Sequence, residues 1–543
     1  MRRLKKEKFA YLRTAEARKN MKISLSEFKN KVKGCWIGKS IGGTLGAPVE
    51  WYRQINHISD FPEEIKGKSL ANDDLDLQLL WLWVLERNGI GVSSQTLADA
   101  FNVFVTPHWS EYGTCKSNMK LGLMPPLCGN YSNVRKDCNG AFIRSEIWAC
   151  ICAGNPALAA EYMYKDAVID HGGDAEGLYA AIFTVTMQSA AFIESDVDKL
   201  VDIGLSYIPE NCAVYRAVKF ARSLAQKEKN PENARNLLID QFPSRCQTYF
   251  YYDHIHIDAS PDDLKNGRFD GKEGWNAPLN LGILVYSLLS AEGDFGKAIC
   301  TAVNCGEDTD CTAATIGALL GIIKGYDGIP EKWRTGVGDG IVTICLNLGE
   351  LGNGGEIPHD VTNLTDRVVK LFFAVALKNG SPIQIAEAPF DTGKDAPLYG
   401  SERVRRFLYR NLTGPVFEYD NYEAAVFYPE GIEIKTGETK KFGISVRNKF
   451  TIAENLKADI YFGGGIVPQV TSGHIYLEKY LTGRETSSFT VEVTAGEMSG
   501  ATAEGVVVLS VIGKSAKMCI PVTFVNGNLQ ATESVPEYND KIS

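Results

Sequence analysis

From about Ser24 to about Ala386 the apolar residues recur at helical spacing. The clearest segments are Leu75–Leu85, Glu146–Ala153, Leu178–Phe192, Leu279–Ala291, Ala313–Lys324 and Val368–Leu377. Few alternating β-branched runs interrupt them, so residues 24–388 are expected to form an all-α domain. Further on the period changes to two. Ile432-Glu433-Ile434, Phe442-Gly443-Ile444-Ser445-Val446, Ala458-Asp459-Ile460-Tyr461-Phe462, Phe489-Thr490-Val491-Glu492-Val493 and Ile520-Pro521-Val522-Thr523-Phe524 alternate apolar and other positions. Turn residues such as Thr436-Gly437-Glu438 and Val525-Asn526-Gly527 separate them. Such a series of short strands predicts an all-β, immunoglobulin-like sandwich over residues 416–530. Between the two textures, Pro389–Gly400 is rich in Pro, Asp and Gly and leads into the basic Arg403–Arg410, so residues 389–415 are read as a linker. Residues 1–23 form a basic extension without an apolar core, with Met21 as an alternative start, and residues 531–543 form a tail.

Within the helical part, Gly34, Gly38, Gly42 and Gly46 are spaced by four, and Gly317, Gly321 and Gly325 repeat the pattern. That spacing puts them on one helix face, where missing side chains let another backbone approach. Close packing offsets a helix-propensity penalty of about 1 kcal/mol per glycine. The glycines themselves carry no chemistry; their expected use is to draw helix ends together at the domain centre.

Those ends are acidic. Asn72-Asp73-Asp74 precedes the Leu75–Leu85 run, and Glu307-Asp308-Thr309-Asp310 precedes the small-residue segment Cys311-Thr312-Ala313-Ala314. One carboxylate at a helix start is a cap worth about 1 kcal/mol, but four or five brought together repel one another. A hard divalent cation with oxygen ligands resolves the repulsion, which makes Mg²⁺, or Mn²⁺, the expected cofactor if the clusters meet. The isoprenoid-synthase arrangement, with acids a helical turn apart, does not fit Asp73-Asp74-Leu75-Asp76.

Composition narrows the class. A net charge of −9 argues against nucleic acid or anionic membrane as a partner. No run approaches the roughly 18 apolar residues of a membrane span. Thirteen cysteines, an odd set without a C-x-x-C pair, point to buried free thiols and a cytoplasmic setting. Trp81, Trp83 and Trp148 are expected in the core, whereas Trp275, in the loop Gly271–Ala277, is placed to stack on a base or sugar.

Taken in order, Gly38-Lys39-Ser40-Ile41-Gly42-Gly43-Thr44-Leu45-Gly46-Ala47-Pro48-Val49-Glu50, Asp73-Asp74, Asn139-Gly140-Ala141-Phe142-Ile143-Arg144, His171 and Asp308-Thr309-Asp310 resemble the ADP-ribosylglycohydrolase family over residues 28–330 or so. The resemblance implies an all-α hydrolase carrying one or two Mg²⁺ or Mn²⁺ ions. Its substrate would be a small-molecule or protein-linked ADP-ribose, or a related glycoside. Carried onto this chain, it makes Glu50, Asp74 and Asp308 catalytic, with Glu50 orienting or activating water. The metal set is Asn72, Asp73, Asp74, Asp308, Asp310 and Cys311, and Asn139, Gly140, Arg144 and His171 line the substrate's cleft. This chain departs from the family pattern at Asn72 and Cys311, where threonine is usual, at Leu75, where a polar residue is usual, and at Glu307, where glycine is usual. Cys311 is a soft ligand for a hard ion, and Glu307 brings charge and bulk beside the ions. Two other readings stay open: a hydrolase of another sugar glycoside, and a catalytically silent descendant that binds a ligand or acts as a scaffold. His254-Ile255-His256, flanked by Asp253 and Asp258, is a further candidate for ligands or substrate contacts. The acceptor, the oligomeric state and the purpose of the β module carry no signature here.

Overall fold

In a computed structural model of the chain, the described residues are 21–50, 54–243, 274–381, 383–385, 398–410, 413–515 and 517–529. The basic extension before residue 21, the His254–His256 pair, residues 389–397 of the linker and the tail lie outside them. The described residues fall into two compact units. One holds the residues up to Lys116 together with Cys128–Arg410; the other holds Ser117–Leu127 and the residues after Arg410.

The first unit is helical. Four helices carry the site: α1 (Leu25–Gly46), α2 (Asp73–Asn88), α3 (Ala277–Ser290) and α4 (Thr309–Gly328). Ser24 opens α1 by accepting from the Glu27 amide, and Asn72 opens α2 by accepting from the Asp74 amide. α2, α3 and α4 are apolar on nearly every side and accordingly buried. Trp36, Trp81 and Trp148 are fully buried in this core. Trp83 departs from expectation. It is only part-buried, and its indole N–H reaches the surface carboxylate of Glu356 at 2.6 Å. A short parallel pair, β1 (Met21–Ile23) with β2 (Ile383–Ile385), joins the two ends of the helical sequence. None of the described helices is long and apolar enough to cross a membrane.

The second unit contains β3 (Val416–Glu418), β4 (Tyr422–Phe427), β5 (Glu433–Ile434), β6 (Thr439–Asn448), β7 (Glu454–Phe462), β8 (Ile466–Pro468), β9 (Ser472–Leu477), β10 (Thr486–Ala495), β11 (Thr502–Val511) and β12 (Lys517–Asn526). They form two five-stranded sheets, ordered β3-β4-β6-β10-β8 and β5-β12-β11-β7-β9. Alternation along β7 sends Leu456, Ala458 and Ile460 inward. Phe442 of the first sheet meets Phe462 and Phe524 of the second at ring-centroid distances of 5.6 and 6.2 Å, so the apolar faces pack on each other.

Candidate active site

α1 and α4 lie antiparallel along the two glycine series. A Cβ added at Gly38 would stand 2.0 Å from the Gly317 carbonyl oxygen, and one at Gly42 would stand 2.0 Å from that of Ala313. Gly34 meets Gly321 in the same way, and Gly46 meets the Asp310 amide. Backbone therefore rests on backbone from Gly34 to Gly46, about three helical turns. The end of α1 is carried to the start of α4, and Thr309 fastens the two by donating its hydroxyl to the Gly46 carbonyl at 2.9 Å. The 3₁₀ turn Ala47–Val49 then delivers Glu50 beside Asp308 and Asp310.

Two sets of ligand atoms result, each lying within 4.8 Å of one another: Glu50, Asp308 and Asp310 form one, and Asp74, Asp310 and Cys311 the other. Asp308 occupies the N-cap position of α4 but makes no capping hydrogen bond with its side chain. Asn139 donates to its Oδ2 at 2.7 Å, and the Asn280 side chain on α3 receives its backbone N–H at 3.2 Å. Asp308 Oδ1 and Asp310 Oδ1 are buried without a hydrogen-bond partner among the described residues. Buried carboxylate oxygens in that state could hold a cation. The positive end of α4 contributes only part of the compensation.

These groups floor a cavity of about 350 Å³, within the usual range for small-molecule sites. Of the residues singled out from sequence, Glu50, Asn72, Asp73, Asn139, Gly140, Trp275, Asp308, Asp310 and Cys311 line it. Asp74, Arg144 and His171 do not. Arg144 is fully buried, and its guanidinium grips Asp170 through two bonds of 2.7 and 2.8 Å and Asp166 at 2.9 Å. His171 is fully buried too, with Nδ1 on the Lys136 carbonyl at 2.7 Å. The amide oxygen of Asn72 is engaged in capping α2, at 2.7 Å.

Glu307 is buried but does not line the cavity. It holds φ of 63° directly after Gly306 at 73°, the left-handed region in which an L side chain is disfavoured by roughly 1–2 kcal/mol. Glycine is the residue that adopts this turn without penalty.

Some site residues were not singled out from sequence. Trp109 and Tyr112 form aromatic wall. Glu111 lines the cavity and accepts the Gly140 amide at 2.9 Å. Lys39 lies behind the floor, donating to Asp74 at 3.3 Å. Glu111 and Tyr112 follow a single polar stretch with no periodic signal, and Lys39 sits inside the glycine series as an isolated cation.

The charge imbalance appears in the proton affinities. Burial, then repulsion from Asp74, Asp76 and Asp308, raises Asp73 to about 8. Burial raises Asp74 to about 6, less far because Lys39 opposes it. Burial, then Asp308, Asp73 and Asp74, pushes Glu50 well above the usual carboxylate range. Asp310 is raised likewise by burial, then by Glu50 and Asp308. A carboxyl raised in the folded state contributes stability that is complete below the unfolded value of about 4 and is lost as pH climbs through its folded value. The metal-free protein is therefore expected to lose thermal stability between about pH 5 and 8. A divalent cation that replaces those protons should restore it, so the Mg²⁺-induced rise in Tm should grow across the same window. Thermal melts with and without Mg²⁺ at both ends of that range check this; a rise that shrinks with pH would contradict it.

The family model described as ADP-ribosylglycohydrolase matches residues 24–372. No curated protein matches the chain. Among solved structures, one described as an "ADP-ribosylglycohydrolase-related protein complex" is 16% identical with a TM-score of 0.38, covering 64% of this chain and 100% of that one. Another, the "FixG-related protein from Vibrio parahaemolyticus", is 12% identical with a TM-score of 0.16, covering 20% of this chain and 99% of that one.

Proposed function

This chain belongs to the ADP-ribosylglycohydrolase family, and from that premise we propose that it hydrolyses the N- or O-glycosidic bond of ADP-ribose or a related ribosyl substrate. Glu50, Asp73, Asp308 and Asp310 would hold a divalent cation, Mg²⁺ or Mn²⁺. The observation that carries this reading is the pair of unpartnered buried oxygens, Asp308 Oδ1 and Asp310 Oδ1, in carboxylates that floor the cavity beside Glu50. When bound, the cation supplies a Lewis acid for sugar hydroxyls and a polarised water.

The chain's own groups do the rest. Glu50, part-exposed at the cavity, accepts the proton of the attacking water as the bond from anomeric carbon to water oxygen forms. The bond to the acceptor heteroatom breaks, and the proton passes to that leaving group. Surrounding carboxylates stabilise the oxocarbenium-like charge in between. Asn139 keeps Asp308 aimed, and Glu111 fixes the Gly140 backbone. Trp275 and Trp109 offer faces for a base or sugar. A small-molecule and a protein-linked substrate both fit this reading. The twelve described cysteines form no disulfide with one another and ten of them are buried, which supports a cytoplasmic setting.

One observation favours a second reading. No lysine or arginine is among the described residues lining the cavity, so a neutral glycoside without a diphosphate also suits it. An activity screen with Mg²⁺ and Mn²⁺ separates the two. Release of free ADP-ribose is expected, and Trp275→Ala should raise KM about 10-fold with kcat nearly unchanged, as loss of a stacking surface does. Turnover of neutral glycosides alone would move the assignment to the second reading.

A further inference from the structure

The two ligand sets that share Asp310 invite two ions; every member of one lines the cavity, whereas in the other Asp74 does not. Asp74 is fully buried and away from the cavity, and both of its oxygens are engaged. Oδ2 accepts from the Lys39 ammonium at 3.3 Å, and Oδ1 accepts from the Cys311 thiol at 3.3 Å. Lys39 is itself only 1% exposed. Its ammonium also donates to the Ile143 carbonyl at 2.6 Å and to Glu146 at 3.3 Å, so its three protons have three acceptors. Glu146 is held in turn by Gln78 at 2.7 Å and Gln188 at 2.9 Å. The lysine is thus fixed in a satisfied buried network rather than reaching loosely into a gap. By contrast, Asp308 Oδ1 and Asp310 Oδ1 have no hydrogen-bond partner among the described residues.

Resting on the metal-dependent reading above, we propose that Lys39 is a built-in counter-ion that limits this site to one divalent cation. The cation is held by Glu50, Asp308 and Asp310 with Asp73 at hand. A second ion at Asp74 would have to displace the Cys311 thiol proton and lie beside a fixed ammonium, and like charges that close in a buried setting repel strongly. Lys39 is therefore a positioning residue. It orients Asp74 and sets the metal count, without touching substrate.

Equilibrium dialysis of the full chain against Mn²⁺, followed by elemental analysis and electron paramagnetic resonance, reads this without an assay of activity. The expected result is one Mn²⁺ per chain with a mononuclear six-line spectrum. Two ions with an exchange-coupled multiline spectrum would overturn the proposal and leave the metal-dependent reading standing. No binding would overturn both. Lys39→Met should raise the count from one to two, and Lys39→Arg should keep it at one. A folded Lys39→Met protein that still takes one ion would show that Lys39 does not set the count. If that variant does not fold, the count on the unaltered chain decides.

Discussion

Asp310→Asn is expected to remove divalent-cation binding and to lower kcat/KM by at least about 10³-fold, equivalent to about 4 kcal/mol of transition-state stabilisation. Asp310 is the residue common to both carboxylate sets, and its Oδ1 is one of the unpartnered buried oxygens. The substitution keeps the side chain's shape while removing its charge. It also removes repulsion from Glu50 and Asp308, the groups that push the Asp310 carboxyl up. The metal-free variant should therefore melt at or above the temperature of the metal-free parent, while losing the Mn²⁺-induced rise. Titration calorimetry with Mn²⁺, thermal melts and steady-state kinetics check the three parts. Full activity in a protein that no longer binds metal would end the carboxylate mechanism.

Gly38→Leu should be the most damaging single change outside the site. Its Cβ alone would stand 2.0 Å from the Gly317 carbonyl oxygen and 2.5 Å from the carbonyl carbon, and no rotamer relieves a clash with backbone. α1 and α4 must separate, so the loss should reach about 3 kcal/mol or more, at the upper end for overpacking. The same separation carries Glu50 away from Asp310, so metal affinity should fall with stability. Gly340→Ala is the control, because a Cβ there meets nothing within 4 Å. Urea unfolding of both variants decides, and a Gly38→Leu midpoint near that of the control would refute the seam.

The glycine seam and the acidic helix starts were legible because both are local patterns with a fixed period. Gly34 to Gly46 mark one face by spacing alone, and Asp73-Asp74 and Asp308-Asp310 announce themselves where apolar helices begin. The β unit was legible by the same logic where one face is buried, as in Ala458-Asp459-Ile460. β4 was missed because Tyr422–Val426 is buried at successive positions and does not alternate. What a single sequence does not carry is the partner of an isolated charged residue. Arg144, expected in the cleft, neutralises the buried Asp166 and Asp170, which lie 22 and 26 residues further along the chain. Lys39 hides among glycines, and its acceptors Asp74, Ile143 and Glu146 come together only through tertiary packing. Trp109 and Glu111 enter the cavity from the residue before, and the first turn of, the helix Ser110–Lys120, whose placement leaves no periodic trace in the sequence.

Asp76 completes the first turn of α2, and it points a third way. Its Oδ2 accepts the backbone N–H groups of Ile344 and Cys345, both at 2.7 Å, and Ile344 is part of the cavity wall. Over four residues, one helical turn thus aims Asp73 at the cavity, Asp74 at Lys39 and Asp76 at the wall beyond. The width of the substrate's berth and the seating of its cation are therefore dimensions of a single rigid part. A mutation that tilts this turn would detune both together, and a second-site change at either one could not retune them separately.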